Sequence, residues 1–197
     1  AVLMDPIERI KIKKDTSFAL LLEGQRRGWH LNYLVQGGLA LRGGEAWGCL
    51  APLRVRDDPA DWFTLGPAAW APLSRLQLVL ERKDPPFDDQ FLYDTHVLDR
   101  AEQAGVMVVN RPGALRDANE KLFALSFPQC IPPTLVARDT TELRRFAAEQ
   151  GEVVLKPLDG MGGRSIFRHR AGDPNLSVIL ETLTALGAQQ IMAQAYL

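Results

Sequence analysis

Residues 153–167 read VVLKPLDGMGGRSIF. A β-branched run closes on Lys156, a loop with Gly160, Gly162 and Gly163 follows, and a second apolar run comes after it. That combination suits a chain of phosphates. Glycines let the backbone approach an anion because no Cβ intervenes, and they reach the left-handed conformations that turn successive N–H groups inward. The order of the residues excludes two common nucleotide loops. In G-x-x-x-x-G-K-[ST] the lysine follows the glycines and opens a helix, and G-x-G-x-x-G has a different spacing. Here Lys156 comes first and a strand comes last, so Asp159, Gly160, Met161, Gly162, Gly163, Arg164 and Ser165 read as a flexible hairpin flap. For the glycines alone, a plain hairpin and a phosphate loop weigh evenly. Lys156 shifts the balance. Alternation puts it on the face opposite Leu155, and a lysine on the inner face of a sheet needs an anionic partner.

Three further groups could serve the same chemistry. Lys121, in RDANEKLF, is on its own a solvated helix lysine; beside Lys156, the two could straddle one polyphosphate. The segment IMAQAYL reads first as a core strand. Its last residues, Gln194, Ala195, Tyr196 and Leu197, could also form a linker whose backbone groups read a purine edge. In ERKDPPFD, charges fall at the C-terminal end of a strand, where open α/β sheets bind ligands. Arg82 could take a carboxylate in a bidentate grip, with Glu81 and Asp84 orienting it and two prolines stiffening the turn.

The elements that must position these residues follow from pattern. The 197 residues carry 23 Lys+Arg and 24 Asp+Glu, a net charge of −1, with 46% hydrophobic residues. This is an ordinary globular composition with no field to gather nucleic acid or an anionic membrane, so neither is expected as a partner and any phosphate must meet individually placed cations. Cys49 and Cys130 have no ligand-like spacing, which argues against a disulfide framework or a zinc site. No signal peptide and no membrane-spanning run is visible, so the cytoplasm is the expected location.

AVLMD reads as a strand, Asp15 caps a helix carrying Phe18, Leu21, Leu22 and Gln25, and HLNYLV is the next strand. LALRGGEAWGCLAPLRV reads as a hairpin, and residues 57–74 as surface, part helix and part loop. LQLVL, a helix from about Asp88 with Leu92, Thr95 and Leu98 on one face, and VMVVN complete a parallel α/β pattern. A Rossmann-like domain is therefore expected over residues 1–117. A helix-rich connection leads into a second, α+β unit over 118–197. It comprises strand PPTLVA, a helix capped by Asp139 and Glu142, the VVLKP and SIFRH hairpin, a helix opened by Asp173 and Pro174, and strand QIMAQAYL.

In order along the chain, MDPI, IKKDTSFALLLEGQRRG, RKDPPFD, NEKLF and KPLDGMGGRSIF resemble bacterial glutathione synthetase, a family of ATP-grasp ligases. The resemblance implies ATP-dependent joining of γ-glutamylcysteine to glycine through an acyl phosphate, with Mg²⁺ or Mn²⁺, in a homo-oligomer. It implies that Lys121 and Lys156 hold the ATP phosphates and that Gly160, Met161, Gly162, Gly163 and Ser165 form the flap. Gln194, Ala195, Tyr196 and Leu197 would be the adenine hinge, acting mainly through backbone, and Arg82 would bind γ-glutamylcysteine. In the family the hinge strand is followed by a second half that carries the metal ligands. This chain stops at Leu197, so the expectation is a truncated first part of an ATP-grasp fold, with no metal ligand or catalytic residue assigned and no turnover from residues 1–197 alone. The competing readings are a non-catalytic nucleotide-binding fragment and another ATP-grasp carboxylate–amine ligase.

Overall fold

Strand alternation in the first residues sets the architecture of the N-terminal half. Val2, Leu3 and Met4 are all buried. Val2 and Met4 pack with Phe18 and Leu21, while Leu3 faces the other way, into a cluster with Val79, Leu98 and Ala101. A strand apolar on both sides belongs in a sheet covered on both faces. The computed structural model describes residues 1–197, which divide into two units, Ala1–Asp117 and Ala118–Leu197.

The first unit runs β1 (Val2–Met4), α1 (Thr16–Arg26), β2 (Leu31–Leu34), β3 (Leu39–Arg42), β4 (Glu45–Val55), β5 (Phe63–Leu65), β6 (Ala69–Pro72), β7 (Leu78–Arg82), α2 (Asp89–Gln103), β8 (Met107–Val109) and α3 (Pro112–Asp117). Strands β2, β1, β7 and β8 lie side by side and parallel. The α1 crossover steps from β1 one way along the sheet and the α2 crossover steps from β7 the other way. With right-handed crossovers, this sends the two helices to opposite faces, as the two core clusters require. Both helices start on an aspartate cap: Asp15 accepts from Phe18 N–H at 2.8 Å and Asp88 from Phe91 N–H at 2.9 Å. The buried stripe of α2 is Phe91, Thr95, Leu98 and Ala101, so Phe91 takes the place expected of Leu92.

Residues 57–74 depart from expectation. They form β5 and β6, both paired with β4, and only Leu73–Arg75 make a helical turn. The cause is the length of β4, whose 11 residues serve β3 and β6 along one half and β2 and β5 along the other. The prolines that argued for loop lie between or at the ends of these short strands, where no interior ladder bond is lost.

The second unit contains α4 (Glu120–Phe123), β9 (Thr134–Ala137), α5 (Thr140–Gln150), β10 (Glu152–Pro157), β11 (Phe167–Arg170), α6 (Leu176–Leu183) and β12 (Ile191–Ala195). Its four strands are antiparallel in the order β11-β10-β12-β9. Leu143 and Ala147 of α5 and Ile179, Leu180 and Leu183 of α6 bury Val153, Leu155, Ile191 and Ala193 on one face. Helix α6 starts later than expected. Asp173 accepts from both the backbone N–H and Nδ2 of Asn175 at 2.9 Å, a side-chain turn that precedes the helix. No helix of the chain is long and apolar enough to cross a membrane.

One buried group makes the first unit sensitive to pH. Glu81 shares the α2 face of β7 with Val79 and is 5% exposed. Burial pushes its carboxyl from 4.5 up to about 7, against the Lys83 N–H bond and the nearby Arg82 and Lys83 charges. Below pH 4.5 both folded and unfolded chains hold this proton. Between 4.5 and 7 the folded chain keeps it and the unfolded chain has lost it, so stability falls as pH rises through that window. Glu81→Gln cannot ionise and can still accept from Lys83 N–H. Relative to the parent, the variant should gain on the order of 3 kcal/mol between about pH 5 and about pH 8. Denaturant unfolding of both chains at the two pH values checks this, and an unchanged difference would refute it.

Candidate functional site

The alternation that buries Val153 and Leu155 turns Val154 and Lys156 to the opposite face of the second sheet. By register, Met192 and Gln194 of β12 share that face, as does Thr134 of β9. Lys156 ends in a 2.5 Å hydrogen bond donated by Nζ to Gln194 Oε1. It makes no ion pair with any carboxylate. Burial, with the Lys121 charge second, holds its ammonium below the ordinary lysine range. The two lysines are thus close enough to repel.

Lys121 is not the solvated helix lysine of the plain reading. Its side chain is 13% exposed. Nζ donates to the carbonyl oxygens of Gly160 at 2.7 Å and Leu158 at 3.2 Å, and pairs with Glu120 at 2.9 Å. Asn119 works beside it. Its Oδ1 caps α4 by accepting from the Lys121 and Leu122 N–H groups, and its Nδ2 donates to Leu158 O at 3.2 Å. The start of the glycine loop is therefore pinned by two neighbouring side chains of one short helical turn.

The loop itself joins β10 to β11 as a hairpin, and Met161 through Ile166 are exposed. Gly162 and Gly163 have φ of 65° and 76°, and Ser165 has 55°. A serine in the left-handed region carries backbone strain of roughly 1 kcal/mol. At Gly160 the constraint is close approach, since a Cβ would lie 2.8 Å from Pro157 Cγ. Glycine is thus required at Gly160 for room and at Gly162 and Gly163 for conformation.

The end of β12 is more occupied than the hinge expectation assumed. Ala195 N–H donates to Pro133 O at 2.9 Å and Tyr196 N–H to Glu152 O at 3.0 Å. These two donors belong to the sheet, and the side chain of Gln194 lies on the Lys156 face. The Tyr196 ring is covered by the Arg168 guanidinium, 3.6 Å from its centroid, and Arg168 is also paired with Glu152. Leu197 is 92% exposed.

Arg82 belongs to the first unit. It closes β7 beside β1, at the point where strand order reverses from β1 outward, the usual ligand crevice of an open α/β sheet. Its Nε donates to Ser17 Oγ at 3.0 Å and its second terminal nitrogen to Thr16 Oγ1 at 2.7 Å. Glu81 and Asp84, expected to orient it, do not. Glu81 lies on the other face of β7, and the Asp84 N–H donates to Asp5 Oδ2 at 2.8 Å. Asp5 also pairs with Lys83 at 2.9 Å.

The arrangement thus brings together Lys121, Lys156, the glycine loop and Gln194 in the second unit. It can receive an anion with two ammonium groups and a glycine backbone at hand. Pattern reading missed Asn119, Thr134, Thr16 and Ser17. An asparagine just ahead of Glu-Lys is a legible helix cap. The other three depend on pairings over 60 residues away or more. No three His, Cys, Asp or Glu side chains converge in a way that could hold a metal ion.

Residues 1–116 match the family model of the prokaryotic glutathione synthetase N-terminal domain, and residues 120–197 that of the prokaryotic glutathione synthetase ATP-grasp domain. Over 196 residues, all of this chain, it is 62% identical to the glutathione synthetase of Pseudomonas syringae pv. tomato and 60% to that of Pseudomonas putida. It spans 61% and 62% of the length of those relatives. Among solved structures, D-cycloserine synthetase DcsG is 18% identical with a TM-score of 0.62, covering all of this chain and 59% of that one. A RimK domain ATP-grasp protein from Sphaerobacter thermophilus is 19% identical with a TM-score of 0.59, covering all of this chain and 63% of that one. Those likenesses bear on fold, and the fold is the Rossmann-like unit followed by the first part of an ATP-grasp domain. The chain belongs to the prokaryotic glutathione synthetase family.

Proposed function

We propose that the full-length protein carrying this chain is a glutathione synthetase, an ATP-dependent ligase that joins γ-glutamylcysteine to glycine. The observation that carries this is the cluster of Lys156, Lys121 and the pinned glycine loop at the sheet face opposite the α5 and α6 core. An exposed loop rich in free N–H groups beside two ammonium groups suits a nucleotide polyphosphate. In this reading the γ-phosphoryl group passes to an oxygen of the cysteinyl carboxylate and ADP departs. The glycine amine then attacks the acyl carbon, a C–N bond forms, and phosphate leaves. Lys156 and Lys121 offset charge on the transferring phosphoryl group. The loop of Gly160, Met161, Gly162, Gly163 and Ser165 closes over it and keeps water from the acyl phosphate. Arg82, held by two neutral hydroxyls, is the candidate for a substrate carboxylate. Gln194 to Leu197 border the base.

Mg²⁺ use comes with the family, but the residues present do not assemble a site for it. A homo-oligomeric state is carried over from the family resemblance.

In the full-length protein, ADP release should require γ-glutamylcysteine and glycine together. Equal turnover with D-alanine alone would overturn the reading. Lys156→Ala should lower kcat/KM for ATP about a hundredfold, read from initial rates at varied ATP; an unchanged value would remove Lys156 from the site. Lys121→Met releases the Gly160 carbonyl and leaves Leu158 O to Asn119 alone. Amide exchange across residues 158–166 of the nucleotide-free protein should then accelerate about tenfold, measured by mass spectrometry. Exchange at the parent rate would show that Lys121 does not pin the loop.

A further inference from the structure

The hydroxyl of Thr134 decides which way the Gln194 amide faces. Thr134 on β9 is the register partner of Gln194 on β12. Its one hydroxyl proton is donated to Pro132 O at 2.7 Å, and a carbonyl oxygen can only accept. Toward Gln194 the threonine oxygen is therefore left as an acceptor, and the amide group that meets it at 2.9 Å is the Nε2 donor. With Nε2 turned to β9, Oε1 must point to β10, where Lys156 Nζ lies 2.5 Å away. A flipped amide would set an N–H group against an ammonium and an oxygen against an oxygen, so the rotamer has one satisfied orientation.

We infer that Thr134 is a positioning residue for nucleotide binding, acting through Gln194 to aim the Lys156 ammonium. The inference rests on Lys156 being the phosphate lysine of the proposed function. The relay crosses three adjacent strands, β9, β12 and β10, all on the face away from the α5 and α6 core. Its chemistry suits the task. An ammonium has three protons; one goes to a neutral amide oxygen, which fixes direction without cancelling charge, and two stay available for phosphate oxygens. A carboxylate in place of Gln194 would aim the lysine equally well but would neutralise it.

The test compares Thr134→Val and Thr134→Ser in the full-length protein. Valine keeps the shape and β-preference of threonine but cannot accept a hydrogen bond, so the amide loses its fixed orientation. KM for ATP should rise about tenfold, while kcat and the KM values for γ-glutamylcysteine and glycine stay within about twofold, a split that general destabilisation would not give. Serine should restore the parent KM. In a Gln194→Glu background, where either orientation presents an oxygen to Lys156, adding Thr134→Val should change nothing further. The inference is overturned if Thr134→Val leaves KM for ATP unchanged, if serine fails to restore it, or if the Gln194→Glu background does not absorb the effect. Should the parent bind ATP yet join no substrates, the ligase reading fails, and calorimetric Kd values for ATP across the same variants still decide the role of Thr134. No ATP binding by the parent would sink both.

Discussion

A positive charge without a negative partner organises the second unit. Lys156 is half-buried, its one hydrogen-bond partner is the neutral Gln194, and its nearest charged company includes another lysine. Glu120, the acidic group close enough to favour its ammonium, is itself paired with Lys121. Removing an ammonium from water without a counter-ion is costly, and like charges add to the cost. Such a placement is tolerated only if the rest of the sheet fixes it, and the sheet does so through alternation. Val153 and Leu155 are fully buried under α5 and α6. Slipping β10 by one residue would drive Lys156 into that apolar core. The hydrophobic register therefore enforces the electrostatic arrangement.

The glycine loop inherits its geometry from the same strand. Lys156 and Pro157 end β10, so the loop must leave from where the ammonium sits. Asn119 and Lys121 hold the first carbonyls of the loop and leave the glycines beyond them exposed. A flap needs a fixed root and a free tip. The root is built from charge-assisted hydrogen bonds, and the tip from residues whose φ values suit glycine. Lys121 is occupied by loop carbonyls and by Glu120. In the proposed reading, a polyphosphate that engaged Lys121 would compete with those contacts.

Much of this was legible in the sequence because it rests on local rules. The caps at Asp15, Asp88 and Asp139 follow from residue type and spacing. Alternation in VVLK is enough to set Lys156 apart from the core, and the Gly43-Gly44 turn, with φ of 57° and 84°, is a hairpin signal of the favoured kind. What was not legible depends on partners distant in sequence. Strands β5 and β6 exist because β4 offers edges to pair with, and nothing in TLGPAAW announces that. Thr16 and Ser17 read as the first turn of a helix, and only the parallel packing of β7 beside β1 brings Arg82 to their hydroxyls. Thr134 is one more β-branched strand residue until its register with Gln194 is known. The family resemblance supplied roles for Lys121 and Lys156, but not the amide that aims Lys156.

Neutral partners hold two of the cations that the proposed function uses, while many other cations of this chain meet carboxylates. Arg26 and Arg27 pair with Glu23, Arg145 with Glu142, Arg116 with Asp99, and Arg168 and Arg170 with Glu152. Each of these has a carboxylate that already answers its charge, and the exposed pairs among them contribute little to stability. Arg82 and Lys156 are treated differently. One is anchored by two hydroxyls and the other by an amide oxygen. A hydroxyl or amide fixes direction through a hydrogen bond while leaving the full charge to act on whatever approaches. A carboxylate at the same place would fix direction and cancel the charge together. In the proposed reading, hydroxyls at Arg82 and an amide at Lys156 leave those charges free for a carboxylate and a phosphate.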